Sequence, residues 1–218
     1  MQKLTYKTLA SPLVHEIPKI KGSRFFASFF PVQSKEEIDY YITELNKKYY
    51  DATHNCYARR LGVQANQDLF GQRNLSAKQE RANDDGEPTN TAGKPMLSVL
   101  TGAELFDCLV VVTRYFGGTL LGVGGLIQAY TQTTQAGVSA STVAYKEIST
   151  SLILSYSYDQ LASVQYLYGK YSVKVIADHY ADQITQTIAV NLAYLQALEQ
   201  ELRDRQITYT INSSCCSL

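Results

Sequence analysis

The sequence lacks the long apolar run that a membrane helix requires. No stretch of about 18 consecutive apolar residues occurs in the 218-residue chain, and residues 1–22 contain no apolar segment of the kind found in secretory signals. We therefore expect a cytoplasmic protein with no membrane association.

Cysteine patterns typical of zinc sites or disulfide frameworks are also missing. The four cysteines form no CxxC motif and no paired Cys/His spacing. Cys56 and Cys108 lie in apolar, strand-like segments, which predicts buried thiols, whereas Cys215 and Cys216 are predicted to lie in a tail without a structural role.

The sequence also has no excess of positive charge. Lys and Arg together number 20, equal to Asp and Glu, so any contact with nucleic acid has to be local. Tryptophan is absent while tyrosine reaches 17, and hydrophobic residues make up 45% of the chain, a composition typical of a globular protein.

The most distinctive stretch of the chain is residues 108–130, CLVVVTRYFGGTLLGVGGLIQAY. Its apolar, β-branched start predicts a strand buried on both faces, followed by a glycine loop and a helix that starts after Gly125. Glycines at this density indicate positive φ angles or close approach of another group. The pattern matches neither GxxxxGK[ST] nor GxGxxG, so close packing and an anion site at the helix start both remain open.

Before this stretch, periodicity predicts strands at residues 13–20 and 24–30 and a helix over residues 35–49, with Ser34 and Glu37 at capping-box spacing. A strand is predicted from His54 to Leu61, a long polar loop over residues 66–83, and a helix with Pro95 in its first turn.

From Ile148 onward the pattern changes to β-α-β-β-α-β within about seventy residues, the order of the ferredoxin-like motif. The sequence therefore predicts an α+β protein with two domains, residues 1–146 and 147–218.

The chain resembles the Impact family, specifically its bacterial two-domain YigZ-type members. The resemblance is carried by residues 22–25 (GSRF), 54–58 (HNCYA), 84–88 (DDGEP), 91–93 (TAG) with Pro95, 113–118 (TRYFGG), 121–122 (LG), 124–126 (GGL) and 129–130 (AY). The chain departs from the family pattern at Asn83, Asn90 and Gln128, where Ser, Gly and Arg are usual.

This resemblance implies a first domain with the fold of ribosomal protein S5 domain 2 and a second domain like the ferredoxin-like C-terminal domain of elongation factor G. It also implies a role in translation control, with the ribosome or a translation-associated protein, and possible RNA, as partners.

Polar residues and glycines from separate segments of the first domain are predicted to form one concave ligand-binding site. They are His54, Asn55, Asp84, Asp85, Glu87, Arg114, Tyr115, Gly117, Gly118, Gly122, Gly124 and Gly125. We interpret the protein as a binding module for RNA or a translation-associated protein, with no cofactor and no catalytic residues.

Two alternatives concern the same residues. The acids at positions 84, 85 and 87 could hold Mg²⁺, although adjacent acids in such a loop more often cap helices or pair with arginine. A metal- or phosphate-dependent enzyme acting on a nucleotide or RNA is the alternative function, with His54 as base and Cys56 as candidate nucleophile.

Overall fold

The structure, a computed structural model, describes residues 3–67 and 73–217. It divides the chain into two compact units, residues 7–145 and the smaller unit of residues 3–6 with 146–217. The division after residue 145 lies beside the predicted boundary. Residues 3–6, assigned from sequence to the first domain, belong to the smaller unit because Leu4 hydrogen-bonds to Ile148 and Asn191.

The described residues form ten strands and five α-helices, so the predicted α+β class is confirmed. The first part of the chain contains β1 (Thr5–Leu9), β2 (Leu13–Glu16), β3 (Arg24–Pro31), α1 (Lys35–Lys48), β4 (His54–Gln67), β5 (Arg73–Asn83), α2 (Gly93–Gly102), β6 (Cys108–Tyr115) and α3 (Gly122–Ala140). It continues with β7 (Val143–Tyr156), α4 (Leu161–Tyr171), β8 (Lys174–Tyr180), β9 (Ile184–Asn191), α5 (Leu195–Asp204) and β10 (Thr208–Ser217). None of these helices is both long enough and apolar enough to cross a membrane.

The larger unit is built on an antiparallel sheet with the strand order β2-β3-β6-β4-β5. Its central strand β6 is buried on both faces, as the sequence predicts. Val110 and Val112 pack in the cluster that includes α2 and α3, whereas Leu109 and Val111 pack in the cluster that includes α1. The sheet therefore lies between α1 on one face and α2 with α3 on the other.

The start of α1 confirms the capping role of Ser34, whereas the Glu37 side chain bonds one residue before the N-cap and does not complete a capping box. The Ser34 hydroxyl accepts a hydrogen bond from the Glu37 amide at 3.1 Å, and the Glu37 carboxylate accepts one from the Gln33 amide at 2.8 Å. One N–H group of the first helical turn, that of Glu37, is thereby satisfied, and the Gln33 amide before the helix is satisfied as well.

The predicted loop over residues 66–83 is wrong for most of its length. β4 continues to Gln67, and β5 runs antiparallel to it from Arg73 to Asn83; residues 68–72 lie outside the described part of the chain. β5 is an edge strand, and its residues 78–81 are exposed on both faces. Such a strand is held by backbone pairing, so its side chains show no apolar alternation that would reveal it.

The smaller unit has the predicted β-α-β-β-α-β order, with neighbouring strands β10-β7-β9-β8 and β1 also in its sheet. Leu167 of α4 and Leu198 of α5 pack with Leu152 of β7 and Ile188 of β9 in one apolar cluster. The prediction that Cys215 and Cys216 lie in a tail without a structural role is wrong, because their backbone lies in β10 and pairs with β7. The two residues extend the sheet.

Candidate functional site

The first part of the predicted site joins the start of β4 to the acidic loop that follows β5. The Asn55 amide donates to the Asp85 carboxylate at 2.6 Å, and His54 Nδ1 donates to the Asp85 carbonyl oxygen at 2.7 Å. Asp85 and Gly86 both have positive φ angles, 43° and 85°, so the loop turns sharply at this point. Because a carbonyl oxygen only accepts, Nδ1 is the donor in this contact, and Nε2 lies 3.9 Å from Glu87 Oε2.

Asp84 serves the start of α2. One of its carboxylate oxygens accepts hydrogen bonds from the amides of Ala92 and Gly93, and the other accepts from the amide of Asn90, at 2.8–3.0 Å. Both oxygens are thus occupied by backbone N–H groups, as in a helix cap. Among the described residues, no group of three or more His, Cys, Asp or Glu side chains is placed to hold a metal ion.

Glu87 and Arg114 form a buried ion pair. Arg114 Nη1 lies 2.6 Å from Glu87 Oε1, and the Tyr130 hydroxyl donates to the same oxygen at 2.8 Å. The guanidinium also lies 5.5 Å from the ring centre of Phe25 and 5.6 Å from that of Phe116. The positive charge of Arg114 is therefore balanced inside the protein, and an external anion would have to compete with Glu87.

Cys56 lies next to this pair, and its thiol is buried. Its sulfur lies 2.9 Å from the Asp84 carbonyl oxygen and 3.3 Å from the Tyr130 hydroxyl. Burial raises the pKa of the Cys56 thiol to about 12, and burial also raises the pKa of Tyr130 far above its usual range. Because a thiolate is the reactive form, a nucleophilic role for Cys56 at neutral pH has no support.

Sequence reasoning missed two members of this cluster. Tyr130 links Cys56 to Glu87, and the Thr113 hydroxyl donates to the Asn55 side-chain oxygen at 2.7 Å. Thr113 lies directly opposite Asn55 in the β4–β6 pairing, so only the strand register reveals it. Tyr115 is a predicted site residue, but its hydroxyl donates to the exposed Asp51 at 2.9 Å rather than to a member of this cluster.

The glycines after β6 have different roles. A Cβ atom on Gly117 would lie 1.9 Å from the carbonyl carbon of Gly22, so two backbones touch here; Gly118 and Gly122 have positive φ angles of 85° and 74°. Neither a close backbone contact nor a positive φ angle requires glycine at position 124, since a Cβ there would meet nothing within 4 Å. The predicted helix start after Gly125 is also wrong, because α3 already begins at Gly122.

Exposed apolar side chains surround these glycines. We call Phe116, Leu120, Val123 and Ile127 the α3 surface; Leu120 is 81% exposed and Val123 59%. Residues 115–145 contain no Asp, Glu, Lys, Arg or His at all. The exposed side of α3 is therefore uncharged along the whole helix.

A groove of about 810 Å³ runs between α2 and α3 and shares Ile127 with the α3 surface. Its α2 wall includes Pro95, Ser98 and Val99, and Lys94 is the one charged residue among those that line it. The larger unit thus combines a polar cluster built on the buried Glu87–Arg114 ion pair, in which Arg114 Nε has no hydrogen-bond partner among the described residues, with an uncharged, open helix surface.

These features define an α+β protein of two compact units. Residues 21–138 match the sequence model of the Impact N-terminal domain, and residues 154–205 match a domain of unknown function, DUF1949. The chain belongs to the Impact family.

Relatives agree over most of the chain. An IMPACT family member of Haemophilus influenzae is 32% identical over 86% of both chains, and YvyE of Bacillus subtilis is 37% identical over 74% of this chain and 68% of its own. The crystal structure of a hypothetical protein is 28% identical, covers 98% of this chain and 100% of its own, and has a TM-score of 0.66.

Proposed function

We propose that this Impact-family protein regulates translation in the cytoplasm by binding a protein of the translation machinery through the α3 surface. Membership of the family supports the role in translation. The main observation that supports a protein partner is that residues 115–145 expose apolar side chains and contain no charged residue.

The fold supports the same proposal at a finer level. In the smaller unit, the antiparallel order β10-β7-β9-β8 with α4 and α5 packed in one cluster is that expected of a ferredoxin-like domain. We also assign the S5 domain 2-like fold to the larger unit, on the strength of the resemblance of its sequence.

The chemistry of the α3 surface favours a protein over RNA. Contiguous exposed apolar side chains mark protein interaction sites, and the centres of such interfaces are depleted in charge. RNA affinity comes largely from Lys and Arg contacts to phosphates. Arg114, the cation nearest in sequence to the glycines, is already paired with Glu87 inside the protein.

Gly124 adds a second argument for a partner. Glycine inside a helix costs about 1 kcal/mol relative to alanine, and no neighbouring atom of this unit requires it. A partner backbone that comes close to the first turn of α3 would account for the missing side chain.

The alternative of a metal- or phosphate-dependent enzyme has less support. The oxygens of Asp84 are occupied by backbone amides, and the Cys56 thiol stays protonated at neutral pH. The ligand-binding roles of His54, Asn55 and Asp85 stay predictions, because their contacts in the structure are to other residues of the same unit.

Sedimentation in sucrose gradients tests the proposal. We expect the wild type to co-sediment with ribosomal particles, also after mild nuclease treatment, and Val123→Glu to remain at the top of the gradient. The matched control is Val14→Glu on β2, where the valine is 57% exposed, close to the 59% of Val123. Equal sedimentation of both variants would contradict the α3 surface, and loss of wild-type binding after nuclease would favour RNA.

A further inference from the structure

Two arginines face each other on the β4–β5 hairpin, away from the site described above. Arg59 of β4 lies directly opposite Arg81 of β5 in the antiparallel pairing. Residues in this relation have Cβ atoms about 4.5–5.5 Å apart, and like charges there repel. Arg81 is exposed, but Arg59 is only 7% exposed. The pair therefore concentrates two positive charges at the edge of the sheet.

The described residues supply no counter-charge for this pair. Within residues 3–67 and 73–217, no described carboxylate lies at ion-pair distance from either guanidinium. Arg59 Nη1 is buried and has no hydrogen-bond partner. Its register neighbour on β6 is Leu109, which belongs with Leu61 to the apolar cluster under α1. Burying a charge in such surroundings is costly unless it is paired.

The next residue along β4, Arg60, has both an ion-pair partner and hydrogen-bond acceptors. Arg60 points to the opposite face, where its Nε lies 2.8 Å from Glu80 Oε1 and its Nη1 donates to the carbonyl oxygens of Leu100 and Leu105. The described part of the chain thus provides partners for Arg60 and leaves Nη1 of its similarly buried neighbour Arg59 without one.

We propose that Arg59 and Arg81 form a binding site for a phosphate group. A phosphate monoester carries a charge of about −1.5 to −2 at neutral pH, which matches two guanidinium groups, and its oxygens suit the fork of N–H donors that arginine presents. Gln79 and Asn83 lie two positions on either side of Arg81, on the same face of β5, and are exposed. Their amides add polar groups beside the two arginines.

This site is separate from the α3 surface. Arg59 and Arg81 lie on the face of the sheet covered by α1, whereas α2 and α3 cover the other face. Phosphate binding and partner binding can therefore be tested independently, and the failure of one leaves the other standing.

The test is calorimetric titration of the full chain with inorganic phosphate and with adenosine monophosphate, at ionic strength held constant with sodium chloride. We expect binding of at least one of them, and a dissociation constant about 10- to 100-fold weaker in Arg81→Ala, because a charge-assisted contact is lost. Lys78→Ala is the matched control: it removes one positive charge from the same strand but on the other face, and binding should be unchanged.

Arg59→Met provides a second readout. Without phosphate its melting temperature should exceed that of the wild type, because a buried, unpaired charge is replaced by an apolar side chain of similar length. The rise in melting temperature that phosphate causes in the wild type should disappear.

The outcomes separate clearly. Adenosine monophosphate binding at least tenfold tighter than phosphate would identify a nucleotide as the ligand, and equal affinities would identify phosphate itself. No binding of either, or equal loss in Arg81→Ala and Lys78→Ala, would overturn the proposal.

Discussion

The buried pair of Glu87 and Arg114 yields the sharpest prediction about stability. Both side chains are almost inaccessible to solvent, and the charged atoms lie 2.6 Å apart. In Arg114→Met the carboxylate would keep the Tyr130 hydroxyl but lose its counter-charge. Breaking a buried ion pair on one side costs ~3–5 kcal/mol, which for a unit of this size lowers the melting temperature on the order of 10 °C.

Urea unfolding followed by circular dichroism measures this loss, and an exposed pair provides the control. Arg24 lies at the same 2.6 Å from Glu16, but both side chains are more than 40% exposed. Exposed ion pairs contribute little to stability, so Arg24→Met should hardly change the unfolding midpoint. The reasoning is refuted if Arg114→Met is no more destabilising than Arg24→Met.

A double variant gives the coupling between the two charges. Glu87→Gln with Arg114→Met should cost less than the sum of the single changes by ~0.5–3 kcal/mol, because the second substitution removes a charge that the first left unpaired. Additive effects would show that the two side chains act separately.

Three further predictions use the same measurements. Gly124→Ala should raise the free energy of unfolding by about 0.5–1 kcal/mol, because no neighbouring atom requires a glycine there. Gly117→Ala should lower the melting temperature, because its Cβ would have no room beside Gly22. A loss of stability in both variants would contradict the assigned roles. Asp84→Ala should destabilise by about 1–2 kcal/mol, as the loss of a helix cap does, and an unchanged urea midpoint would argue against that cap. Burial raises the pKa of the Cys108 thiol from 9.0 to about 12, so the unfolded chain loses this proton first as the pH rises and stability falls between these values. Cys108→Val should make that alkaline fall shallower by about 1.4 kcal/mol per pH unit, and identical pH profiles would refute the shift.

Elements with strong periodicity could be predicted from the sequence. The apolar, β-branched run in β6 and the Ser34–Glu37 pair at the start of α1 are signals carried by neighbouring residues, and both predictions are confirmed. β5 could not be found in this way because it is held by pairing with β4, and its exposed polar side chains give no alternation.

Roles within the candidate site were less predictable for a different reason. Asp84 and Glu87 are three positions apart, yet one caps α2 and the other pairs with a residue of β6. Carboxylates look alike in a sequence, and only the tertiary fold decides which donor each one meets. The glycines are similar: Gly117 and Gly124 differ in what lies beside them, which no local pattern records.

The place of Leu4 gives the chain the topology of an insertion. Its backbone N–H donates to the Asn191 side chain at 2.9 Å, and its carbonyl accepts from the Ile148 amide at 2.9 Å, so residues 7–145 are inserted into the smaller unit. The chain consequently crosses between the units twice. During synthesis, the hydrogen-bond partners of residues 3–6 are made more than 140 residues after them. We expect a protease that cuts once, after Tyr145, to leave two fragments held together by the pairing of β1 with β7.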